Sequence, residues 1–181
     1  MARLKIDGYG QIEINNCAFR RDGRIEAQCA PDTTDFATAK LENGMLLAVD
    51  GANRKVKFAV DSSLPIALNY SAEHMYDERT PGLKNFALNG TDDFYPRLGY
   101  LSVGDKFTTN CVSYGADYAD DSAFIAALAS YKTTKLYGGA ASDGTILVGD
   151  EKPAFGPVLE VIEKTTMPDG TLGIKFRCIA E

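Results

Sequence analysis

The feature that most constrains this chain is its punctuation. Asp-Gly or Gly-Asp pairs interrupt it at Asp22-Gly23, Asp50-Gly51, Gly104-Asp105, Gly149-Asp150 and Asp169-Gly170, and the runs beside them are short and rich in β-formers. Such pairs suit the tight turns that join neighbouring strands, because glycine and aspartate tolerate backbone conformations other residues resist. A chain cut this often leaves little room for alternating strand-helix units. It predicts a mainly β fold.

The runs sharpen that expectation. Pro157 to Lys164, then Met167-Pro168-Asp169-Gly170, then Leu172, Ile174, Phe176 and Cys178 alternating with Gly173, Lys175 and Arg177, predict a final hairpin with one face toward a core. Met45–Val49 and Val56–Val60 bracket Asp50-Gly51-Ala52-Asn53 as another hairpin. Cys17–Arg21 and Arg24–Cys29 flank Asp22-Gly23 as a first hairpin; with a three-residue loop Cys17 and Cys29 would face each other and could pair, but sequence leaves the register open. Leu64 to Tyr70 predicts a strand beginning at a sheet edge, since Pro65 cannot donate a ladder hydrogen bond. Leu98–Val103, Gly104-Asp105 and Lys106–Tyr114 predict strand, turn, strand. Thr145–Val148 predicts a buried strand, closed by a second Val-Gly-Asp; that repeat is too short to argue duplication.

One helix stands out. Asp120 or Asp121 can cap it, and Phe124, Ile125, Leu128 and Tyr131 recur at helical spacing. Residues 71–97, with Pro81-Gly82, Asn89-Gly90 and Asp92-Asp93, read as a long excursion, and loops of that length usually carry function or pack on a partner. The expectation is one β-rich domain over residues 1–181, a small β-barrel or sandwich of hairpins, with one short amphipathic helix and an insertion at about 71–97.

Composition then limits function. Hydrophobic residues make up 45% and charged residues 24%, enough apolar surface to form a core. A net charge of -6 argues against a general nucleic-acid binder, which needs clustered lysine and arginine to displace counterions from phosphates. No run approaches the length of a secretory or membrane-spanning segment, so an aqueous compartment and no membrane partner are expected. The four cysteines, Cys17, Cys29, Cys111 and Cys178, form no CxxC pair and read as reduced, mostly buried thiols.

Catalytic chemistry finds little purchase. The only histidine, His74, lies beside carboxylates in Ala72–Glu78, yet a structural or exposed role outweighs a catalytic one. Asp92-Asp93 and the group Asp117, Asp120 and Asp121 offer oxygen ligands for a hard cation, but the spacing of a calcium loop is absent and Asp120-Asp121 already serves as a helix cap. Acid pairs also serve glycoside hydrolysis; that chemistry wants an aromatic-lined groove, and the chain has no tryptophan. No catalytic residue, cofactor or metal is therefore expected, and the protein is read as not an enzyme.

Two places read as contact points. Arg20, Arg21 and Arg24 concentrate positive charge in an otherwise acidic chain, and arginine's planar fork suits carboxylates and phosphates. Phe94, Tyr95 and Arg97, around Pro96 in the irregular excursion, have the residue types enriched at interface cores.

The run Gly156-Pro157-Val158-Leu159-Glu160-Val161-Ile162-Glu163, followed by Met167-Pro168-Asp169-Gly170-Thr171, together with the turns at Val103-Gly104-Asp105-Lys106 and Thr145–Asp150, resembles small structural proteins of tailed bacteriophages. The similarity is to capsid decoration or head-fibre-like proteins, covers the chain from about Leu98 onward, and carries over no functional residue. It implies a multi-copy virion component that binds the outside of a capsid and stabilises it. The implied partner is the major capsid protein, with a homo-oligomer, a trimer favoured, assembled in the host cytoplasm. The alternatives are another virion part, such as a tail-tube, neck or shell subunit, or a small β-barrel enzyme or carbohydrate-binding module.

Overall fold

The structure is a computed structural model that describes residues 1–18, 24–71 and 85–181, with backbone alone over 14–18. Its described residues form three sheets and one helix, and neither large sheet closes into a barrel. The larger sheet has eight strands in the order β1 (Ala2–Arg3), β12 (Val112–Tyr114), β14 (Ile146–Gly149), β13 (Tyr137–Ala140), β15 (Val158–Thr166), β16 (Leu172–Ala180), β11 (Lys106–Thr109) and β2 (Ile12–Ala18). The second has six, ordered β3 (Ile25–Glu26), β10 (Leu98–Gly99), β8 (Ile66–Asn69), β6 (Leu46–Asp50), β7 (Lys55–Phe58) and β4 (Ala30–Pro31). A two-stranded piece pairs β5 (Leu41–Glu42) with β9 (Ala87–Leu88).

The two large sheets meet face to face, as in a sandwich, through one apolar core. Phe107, Ile146, Val148, Leu159, Val161, Ile174 and Phe176 come from the eight-stranded sheet, and Leu46, Ala48, Ile66 and Leu68 from the six-stranded one. Burying each large side chain contributes roughly 1.5–3 kcal/mol, so the sheets are held by packing more than by the strand ladders. Odd and even residues of β6 go to opposite sides: Leu47 and Val49 join a second core with Cys29, Phe36, Leu41, Leu88 and Cys111. All five residues of β6 are buried. That is why Met45–Val49 reads as a continuous apolar run rather than an alternating one, since both faces of the strand are covered.

The predicted C-terminal hairpin is present as β15 and β16, with Leu159 opposite Cys178 and Val161 opposite Phe176 on the core side. Its outer face carries the charges, Glu160 with Arg177 at 2.5 Å and Glu163 with Lys175 at 3.4 Å. The hairpin around Asp50 is also present, as β6 and β7. The Asp50 carboxylate accepts from the Asn53 backbone N–H at 3.0 Å and its side-chain amide at 2.8 Å, which pins the turn.

The helix α1 (Asp121–Ala129) starts at Asp120, whose carboxylate accepts the Ala123 N–H at 2.9 Å. It lies in the connection between β12 and β14, which run parallel and so require a crossover. Phe124 and Leu128 enter the core, and the Tyr114 ring stacks on Phe124 at 4.8 Å.

Several expectations are corrected. Among the described residues β2 pairs with β11 and β3 with β10, in different sheets, rather than with each other as a hairpin; the turn itself, residues 19–23, lies outside the described residues. The expected strand, turn and strand are present as β10, Gly104-Asp105 and β11, and the two strands belong to different sheets: the chain crosses between them through Gly104, at φ +99, and the buried Asp105 carboxylate ties the corner by accepting the Ser102 N–H at 2.8 Å. The second Val-Gly-Asp differs, since Gly149 lies within a strand without positive φ. β8 is not an edge strand: it lies between β10 and β6, and Pro65 stands just before it, its carbonyl accepting from Val49 N–H at 2.9 Å. Gly138-Gly139 is the middle of β13; a Cβ on Gly138 would come within 2.7 Å of Ile146 and 3.0 Å of Phe176, so glycine there is demanded by packing.

Candidate interaction surface

The edge of the six-stranded sheet is built from β3 on β10, with Glu26 opposite Leu98 and Ile25 opposite Gly99. The pairing extends one residue further, where the Tyr100 N–H donates to the Arg24 carbonyl at 2.9 Å. Gly99 has no side chain because the Tyr70 ring packs beneath it, 3.0 Å from where a Cβ would stand. This register places Arg24 level with Tyr100, and Arg97 three residues away along β10, a separation of about 10 Å.

Arg24, from the first predicted contact point, and the segment Phe94–Arg97 therefore flank the same strand pair. Arg24 sits at the start of β3, donating from Nη2 to the Leu101 carbonyl and to the Glu181 carboxylate, each at 3.3 Å. At the other end, the Ser71 hydroxyl accepts the Arg97 N–H at 2.8 Å, and the Tyr70 N–H donates to the Arg97 carbonyl at 3.0 Å. Just before it, Phe94 and Tyr95 are 36% and 49% exposed, while Pro96 is buried. Phe94 is steadied by an edge-on contact with Phe86 at 6.1 Å. Ile25, on the edge strand itself, is 38% exposed. Arg20, Arg21 and His74 lie outside the described residues, as does residue range 72–84 of the excursion.

Other aromatics pack inward. Tyr114 is buried, Tyr118 packs on the main core and meets Phe124 at 5.3 Å, and Phe86 rests on the second core. Cys29 is a free, buried thiol, its pKa pushed up to about 11 by burial and the neighbouring Glu26; the side chain of Cys17 lies outside the described residues.

The carboxylates have local duties. Asp92 accepts the Asn89 N–H at 2.6 Å and closes a turn, while Gly90 packs so tightly on Asp32 that a Cβ would stand 2.6 Å from its carbonyl. Asp121 accepts the Tyr114 hydroxyl at 2.6 Å, a bond that pushes the phenol up to about 12. Asp117 lines an open cleft of about 580 Å³ with Gly139, Val148, Asp150, Glu151 and Pro153. Among the described residues no three Asp, Glu, Cys or His side chains form a metal-holding group, and no helix is long and apolar enough to cross a membrane.

Sequence reasoning missed Ile25, Tyr100 and Glu181 as members of this surface. Tyr100 and Glu181, beside Arg24, border a groove of about 270 Å³ that also includes Leu64, Ile66 and Pro157. Glu181 stands 157 positions from Arg24, and no local pattern announces such a pair. Comparison of the chain with protein-family models, with curated proteins and with solved structures found no match.

Proposed function

We propose that the protein is a non-catalytic virion subunit that docks on the outside of a bacteriophage capsid and stabilises the shell, with the β3–β10 edge as its docking surface. The observation that carries this reading is the grouping of the exposed Phe94 and Tyr95 with Arg97, whose backbone is bonded to Ser71 and Tyr70, and with Arg24 on the same strand pair. Exposed aromatics together with arginine dominate the energetics of protein interfaces. The resemblance of the C-terminal half to phage decoration proteins supplies the partner, the major capsid protein. Copies repeated by symmetry, as a trimer in this reading, would multiply a modest contact into a large gain for the shell.

The test is binding to phage heads that lack the protein, followed by negative-stain microscopy and light scattering. Saturable binding at regular positions, lost on replacing Phe94 and Tyr95 by alanine, supports the proposal. Self-assembly into closed shells or tubes, or a monomer that ignores heads, overturns it.

A further inference from the structure

The groove beside Arg24 is already partly answered from within the chain. Its floor and walls come from Leu64, Ile66, Leu101 and Pro157, and its mouth is crossed by the Arg24–Glu181 pair at 3.3 Å, with side chains 39% and 49% exposed. The Leu101 carbonyl fixes the same Arg24 Nη2, so the guanidinium is aimed whether or not Glu181 is there. An exposed pair of this kind is weak and screened by salt, because water competes for both ends. A carboxylate from elsewhere could replace Glu181 at little cost, provided it brought an apolar neighbour to fill the groove.

We propose that this groove is a carboxylate-anchored slot for an acidic-apolar segment of the docking partner, and that Glu181 is its internal stand-in, displaced when that segment enters. The inference rests on the docking reading and specifies the chemistry the partner must present: an Asp or Glu side chain for Arg24, next to a Leu-sized side chain for the space between Ile66, Tyr100 and Pro157. The chain's net charge of -6 repels acidic partners at long range, so the attraction acts only within roughly a Debye length of Arg24, about 8 Å at physiological salt.

The experiment titrates the full chain with the blocked peptide acetyl-Leu-Glu-Leu-Leu-amide and its glutamine counterpart, following the amide signals of Ile66, Tyr100 and Leu101. The glutamate peptide is expected to move these signals, and the glutamine peptide to bind several-fold more weakly. Glu181→Gln should bind the glutamate peptide about threefold more tightly, since the competitor is gone. Arg24→Gln should lose the preference for glutamate. Absence of shifts in both wild type and Glu181→Gln, or equal affinity in the two, overturns the slot. Binding to heads separates the two readings. Heads bound through Phe94 and Tyr95 with indifference to Arg24→Gln and Glu181→Gln leave the docking reading standing and sink the slot; peptide results as expected with heads ignored do the reverse.

Discussion

Arg3 and Glu42, 39 residues apart, clasp each other across the seam between β1 and β5: Arg3 Nη1 donates to Glu42 Oε1 at 2.9 Å, and Nη2 donates to Oε2. The same Oε2 accepts the Gly10 N–H at 2.5 Å, and Glu42 is only 4% exposed. The pair holds the guanidinium well above its ordinary range, through that hydrogen bond against the cost of burial. Replacing Glu42 by alanine strands three donors, two on Arg3 and the Gly10 N–H, at the seam. Removing one member of a buried pair costs about 3–5 kcal/mol, and Arg3, about a third exposed, can regain some water, so a loss of about 2 kcal/mol is expected in urea unfolding. A loss under about 0.5 kcal/mol would show that the clasp adds nothing to stability.

Gly138 offers a test of packing in the main core. Alanine there would press on Ile146 and Phe176, both fully buried, and should destabilise by about 1–3 kcal/mol. Gly149 is the control: nothing stands within 4 Å of its Cβ position, and its φ is not positive, so Gly149→Ala should stay within about 0.5 kcal/mol of wild type. Equal effects at the two positions would contradict the packing described for β13.

The Asp50 turn predicts an acid limb in the stability profile. The Asn53 amide, the Asn53 N–H and Lys57, with Nζ at 3.1 Å, favour the charged carboxylate and hold it at about 2. The unfolded chain would titrate near 3.9, so the folded state takes up its proton later on acidification. The contribution is therefore complete above about pH 4 and is lost as pH falls toward 2. Denaturation measured from pH 5 to pH 2 should show a steeper loss for wild type than for Asp50→Asn, and parallel curves would dismiss the link.

At the docking edge, affinity and stability should separate. Tyr95→Ala is expected to leave unfolding within about 0.5 kcal/mol of wild type, and Phe94→Ala to cost about 1 kcal/mol through its contact with Phe86. Head binding by the double variant should fall at least tenfold, about 1.4 kcal/mol, if these rings anchor the contact. Unchanged binding would move the docking surface elsewhere.

The alternation from Leu172 to Cys178, the Asp50 turn and the Asp120 cap could be read directly, because each depends on neighbours within a few residues whose conformational preferences are local. The class of fold followed from these. Which strands share a sheet did not, since a two-residue strand such as β3 carries too little pattern to choose its partner; its place beside β10 depends on residues more than 70 positions away. Gly138-Gly139 was not legible for the same reason: glycine by itself signals only backbone freedom, while here Phe176 and Ile146 claimed the space a side chain would need.

What the sequence determined by itself was a β-rich chain with a short capped helix, an acidic surface and two candidate contact points, Arg20–Arg24 and Phe94–Arg97. Only the tertiary structure decided that Arg24 and Phe94–Arg97 flank one strand pair, that Tyr114 and Tyr118 serve the core, and that Glu181 meets Arg24. Local residues set turns and strand faces through backbone sterics and alternation, but the choice of sheet neighbours is made by burying apolar surface over the whole molecule at once.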